Sequence, residues 1–162
     1  MAWMKKLGMA VALSLAFCAQ PVSAQAQGGL HYLGKFVNSD SELHVMTYSK
    51  VTDKGVEVRI FLLGIQSNTR RNSVAFGPGD FPAFLRLWQS ALKQQSDTWQ
   101  PVGDYVEHGT KDVSHLKVSA GPGIRFVIES PARGAFTSEL QPSNYDAFGS
   151  ALETANLFLE NK

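Results

Sequence analysis

Cysteine is all but absent: Cys18 is the single one in 162 residues. It sits in an N-terminal apolar run, so the remainder of the chain can form no disulfide and carries no thiol nucleophile. Catalytic signatures are missing as well. There is no Gly-x-Ser-x-Gly elbow and no His-Glu-x-x-His pair, the patterns that place a serine nucleophile or a hydrolytic zinc. A surplus of one charge is lacking too, with 15 Lys and Arg against 14 Asp and Glu. Such a balance provides no general attraction for a polyanion. Beyond the N-terminus no stretch reaches the ~20 apolar residues of a membrane-spanning helix. Carboxylates are scattered: Asp104 and Glu107 fall on a strand at a spacing that sends them to opposite faces. Without a convergent acid, base and nucleophile, the chain reads as a non-enzyme that needs no cofactor.

The first 26 residues read as a secretory leader. Lys5 and Lys6 precede an apolar run over residues 7–19, and Gln20 and Pro21 follow it. Small residues then offer cleavage after Ala24 or Ala26. Phe17 stands before Cys18, where lipoprotein processing takes Gly, Ala or Ser, so no lipid anchor is expected. Removing Lys5 and Lys6 from the 15 basic residues leaves 13 against 14 acidic ones, a net charge of −1. The expected destination is the periplasm or the external medium, with no stable membrane anchor.

What the rest of the chain does contain is a repetition. At one constant offset, Phe76, Pro78, Asp80, Phe81, Ala83, Phe84, Trp88 and Ala91 match Leu140, Pro142, Asn144, Tyr145, Ala147, Phe148, Leu152 and Ala155. Upstream, Val56, Val58 and Ile60 alternate as Ile124, Phe126 and Ile128 do, the period of a strand. Earlier still, Leu33-Gly34-Lys35-Phe36-Val37 corresponds to Val102-Gly103-Asp104-Tyr105-Val106. Matched segments in the same order, with loops of different length, are the mark of an internal duplication. Each unit reads as four strands and a helix. In the first, the strands are expected near 30–37, 42–49, 56–64 and 72–76, with a turn over 50–55. Asp80 and Asn144 stand where helix N-caps belong, their side chains able to accept a bond from a first-turn amide. Phe81, Phe84, Leu85, Trp88 and Leu92 share one helical face, as do Tyr145, Phe148, Leu152, Ala155 and Leu159.

The fold class expected is α+β: two pseudo-symmetric ββββα repeats, antiparallel four-stranded sheets with their helices packed together. Residues 27–162 form one domain, with repeat 1 near 29–97 and repeat 2 near 98–162. The helices are expected to clasp through Phe84, Trp88, Phe148 and Leu152. Trp99-Gln100-Pro101 joins the repeats.

This tandem order resembles the Whirly and Pur-alpha group, whose folds are related to the coactivator PC4. The resemblance is one of element order over the mature chain, and it implies single-stranded nucleic-acid binding. The lysine-rich binding motif of the plant Whirly proteins is absent; the nearest basic cluster is Arg70-Arg71.

Candidate sites follow from strand alternation. Opposite the face of Leu33, Val45 and Val58, repeat 1 would carry Phe36, His44, Met46, Tyr48, Arg59 and Phe61. Repeat 2 has a thinner version in Tyr105, Lys117, Arg125 and Val127. Exposed, such a face marks an interaction site, and Phe36, Met46, Tyr48, Arg59 and Phe61 are the residues assigned to it. The partner expected is a protein or an apolar small molecule. Nucleic acid is a weaker alternative, and the face would be covered in a homo-oligomer. His108, Asp112 and His115 form a weak candidate metal site, without the spacing of a zinc motif. Gly77-Pro78-Gly79 and Gly121-Pro122-Gly123 are turns, because neither sits in a strand-loop-helix context with the lysine of a phosphate loop.

Overall fold

Alternating apolar residues build two antiparallel meanders, and a computed structural model describes them over residues 28–38, 40–66, 70–109 and 112–160. The leader over residues 1–26, its cleavage sites and Cys18 lie outside these. The first sheet runs β1 (Gly29–Val37), β2 (Ser41–Thr52), β3 (Gly55–Gln66) and β4 (Arg70–Phe76), and α1 (Phe81–Lys93) follows it. The second runs β5 (Gln100–Val106), β6 (His115–Ala120), β7 (Ile124–Ser130) and β8 (Gly134–Leu140), followed by α2 (Tyr145–Glu160). The fold is thus α+β, with the ββββα order repeated. The β2–β3 hairpin is longer than expected: only Asp53 and Lys54 form its turn, and Gly55 accepts a φ of 118° beside them.

Each helix leaves its own sheet and covers the other. α1 packs on β5 and β6, and α2 packs on β1, β2 and β3. Where the helices do not intervene, β3 and β4 face β7 and β8 directly. Most of each apolar sheet face is therefore buried by the other repeat, although Phe76 also stacks on Phe84 and Phe126 packs on Phe148 within their own repeats. Phe84 of α1 reaches Phe126 of the second sheet, and Phe148 of α2 reaches Phe36 of the first. The two helices also meet, Trp88 lying 4.8 Å from the Phe148 ring and edge-on to Tyr145. The clasp expected between helices is thus a part of a larger exchange.

Glycines set the closest approaches. A Cβ on Gly64 would lie 2.1 Å from the Phe136 ring, so β3 and β8 touch through a position that admits no side chain. Gly34 beneath Ala151 of α2, and Gly103 beneath Leu87 of α1, do the same under the exchanged helices. Buried Asn72 bridges the repeats, donating through Nδ2 to the carbonyls of Ile128 and Gly134. Among the described residues no helix is long and apolar enough to cross a membrane.

Two expected caps differ. Asp80 stands at the N-cap of α1, yet its side chain bonds no helix amide. Its carboxylate is held instead by His108, Oδ1 to Nδ1 at 2.9 Å. Asn144 belongs to a short 3-10 turn, Pro142–Asn144, that leads into α2.

Candidate interaction face

Paired residues on neighbouring strands share a face, so the register decides which side chains point out of the molecule. In β1 the pairing Tyr32↔Met46 is followed by Gly34↔Val45, which leaves Leu33 as the extra residue of a bulge. The same irregularity lies between Pro101 and Gly103 in β5. A one-residue shift turns every later side chain to the opposite face. Phe36 is consequently paired with Leu43, 8% exposed, and packed edge-on against Phe148 in the core. The expectation that it lines the outer face is corrected by this bulge. Tyr105 is turned inward in the same way, where it contacts Phe76 and donates to the Ala75 carbonyl at 3.2 Å.

The other four residues assigned to the face share it. Met46 pairs with Phe61 and Tyr48 with Arg59. Register adds Tyr32 and Ala75 to the first row and Leu30 to the second. A third row runs Lys35, His44, Leu63 and Ser73. Tyr32 is 65% exposed, Leu30 49% and Tyr48 41%, whereas Met46, in the middle, is only 6% exposed. Phe61 is half-buried and Arg59 exposed. The face is therefore an apolar and aromatic surface whose centre is shielded by its own rim. Alternation from an inward Leu33 already points Tyr32 and Leu30 outward, and of the assigned residues the bulge that follows them reverses Phe36 alone. Gly34, directly after the extra residue, is the signal that could have revealed that reversal.

Two cations in the middle of this face have anions in the same chain, while Lys50 and Arg71 lie at its opposite ends. Lys35 Nζ lies 2.7 Å from Glu42, and Arg59 Nε lies 2.9 Å from Glu57. His44 is buried with Nε2 3.0 Å from Glu42, its ring edge-on to Tyr32. Hydrogen bonds from Lys35, then from His44, hold the Glu42 carboxyl below its usual value.

The equivalent face of the second sheet has a different chemistry. Where the first has Tyr32, Met46, Phe61 and Ala75, the second has Pro101, Ser119, Arg125 and Glu139. Arg125 donates to Glu139 at 2.7 Å and lies over the Trp99 ring, while Lys117 pairs with Glu129. This is a charge-paired surface suited to water.

The histidines of the weak metal candidate do not converge. His108 holds Asp80, while His115 lies 2.8 Å from Asp104 and 3.8 Å from Glu129. Asp112 is exposed, in a turn of positive φ. Among the described residues no three His, Cys, Asp or Glu side chains are grouped to hold a metal ion.

No protein-family model matches the chain, and no curated protein matches it significantly. Among solved structures, it is similar to the plant transcriptional regulator PBF-2, at a TM-score of 0.48 and 8% identity over 83% of each chain.

Proposed function

We propose that this protein is an exported, non-enzymatic interaction module that docks an apolar partner on the outer face of β1–β4. One observation carries the reading: the outward rows of the two repeats differ in kind, aromatic and aliphatic in the first and ion-paired in the second. Exposed apolar area of this extent marks a contact surface when it is contiguous. Periplasmic or external location is supported by the leader over residues 1–26. A non-enzymatic reading is supported by the partly exposed His108–Asp80 and His115–Asp104 pairs, which are separate contacts rather than parts of a shared cleft.

A protein is the partner class this surface favours, because a broad face with an apolar centre matches another protein surface better than a polyanion. The nucleic-acid reading draws on the exposed Tyr32 and Tyr48 rings near Lys35 and Arg59, a stacking platform in chemical outline. The in-chain pairing of those cations weakens it.

Native mass spectrometry of the protein from the exported fraction, beside Tyr32→Ala/Tyr48→Ala, tests the proposal. Bound polypeptide mass is expected on the parent and lost from the variant, with thermal midpoint unchanged. Equal retention by both would refute the assignment of the face. Binding of a single-stranded oligonucleotide that collapses between low and physiological salt would instead select the nucleic-acid reading.

A further inference from the structure

We infer that the partner seated on this face is a second copy of the same chain, the two β1–β4 sheets packing face to face about a two-fold axis. This rests on the reading of the face as a docking surface and adds its occupant.

Size is the first argument. A strand residue occupies about 16 Å² of sheet, given a ~3.4 Å rise and ~4.8 Å strand spacing. With strands of 9, 12, 12 and 7 residues, the face spans about 650 Å². Covering it on both copies removes roughly 1,300 Å² from water, inside the range of stable specific interfaces. A small molecule would leave most of that surface wet.

Charge is the second argument. Lys35 is matched by Glu42 and Arg59 by Glu57 within one chain. The face's other cations, Lys50 and Arg71, lie at its opposite ends. An identical face brings apolar rows to apolar rows and leaves the charged groups at the wet rim. Sheet-on-sheet contact also buries part of the inner side of this sheet, at β3 and β4, with Phe136 against Gly64. The ion-paired face of β5–β8 offers no second adhesive surface, so association closes at two copies.

Sedimentation velocity of the full chain, from about 1 to 100 µM, tests the inference at Kd values typical of weak to moderate dimers. The parent is expected as a dimer with nothing larger. Tyr32→Glu and Tyr48→Glu, at exposed positions the fold does not depend on, should each weaken dimerisation by at least about 30-fold. Thr137→Glu, on the outer face of the second sheet, should not. Circular dichroism and thermal midpoints of all variants check that the fold persists. A parent that stays monomeric, a dimer indifferent to both tyrosine variants, or growth beyond two copies would each overturn the inference. Nile red then separates the two levels of the argument. A monomer whose dye fluorescence falls with Tyr32→Glu retains a docking face and loses only this occupant. A monomer with dye signal unaffected by the variants loses the docking reading as well.

Discussion

Phe36 and Tyr48 lie on opposite sides of one sheet because of a single extra residue in β1, and replacing each by alanine tests that placement. Phe36 pairs with Leu43 and packs against Phe148 beneath α2. Truncating a buried phenylalanine costs about 3–5 kcal/mol. In a chain of this size roughly 4 °C of thermal midpoint accompanies each kcal/mol, so Phe36→Ala should melt about 12–20 °C lower. Tyr48, 41% exposed, has little to lose within the monomer, and Tyr48→Ala should stay within about 1 kcal/mol of the parent. Urea unfolding at sub-micromolar protein, where association adds nothing to stability, gives both values with their slopes. Near-equal costs, or a larger cost at Tyr48, would refute the bulge register. The outer face would then have to be drawn again with Phe36 on it.

Two further outcomes follow from contacts between the repeats. Gly64→Ala drives a methyl into the Phe136 ring and should cost about 1–3 kcal/mol; adding Phe136→Leu makes room, so the double variant should be more stable than the sum of the singles. Strict additivity in that cycle would show the two positions are not in contact. The second outcome concerns alkaline pH. Burial, then the nearby Asp80 carboxylate, pushes the Tyr105 hydroxyl up from 10 to about 12. The unfolded chain therefore ionises this phenol first, and its contribution is complete below pH 10 and lost as pH rises toward 12. Tyr105→Phe lacks the bond to Ala75 and starts less stable, but the difference from the parent should shrink across that window. Parallel stability curves would contradict the placement.

The duplication was legible because its inner-facing pattern is constrained on both sides. Phe81, Phe84 and Trp88 in one helix, and Phe148, Leu152 and Ala155 in the other, are all buried as their spacing indicated, whereas Leu92, expected on the same face, is exposed. Which sheet each helix covers was not legible, because an amphipathic face specifies that it must be buried and not against what. The bulges were hidden for a related reason. Leu33-Gly34-Lys35-Phe36 satisfies simple alternation if Leu33 points inward, and only cross-strand pairing shows that Leu33 is the extra residue. The face was consequently found through β2 and β3, where Met46, Tyr48, Arg59 and Phe61 alternate without interruption, and lost in β1. Asp80 shows a third limit. It stands in cap position by sequence, but an imidazole from the loop after β5 takes its carboxylate in place of a helix amide.

A duplicated unit starts with two identical outward faces, and what each becomes governs assembly. Two polar faces leave a chain solitary. Two adhesive faces, placed on opposite sides of a pseudo-symmetric molecule, would let each copy bind two others and grow without limit. Here the inner rows are largely apolar in both repeats: Val45, Leu62 and Val74 in the first, Val118 and Phe126 beside Ser138 in the second. The outer rows have separated, with Met46, Phe61 and Ala75 answered by Ser119, Arg125 and Glu139. The inner rows are constrained, since each helix depends on the sheet of the other repeat for most of its burial. The outer rows are not, and one apolar face beside one ion-paired face is the division that the proposed pairing of two copies requires.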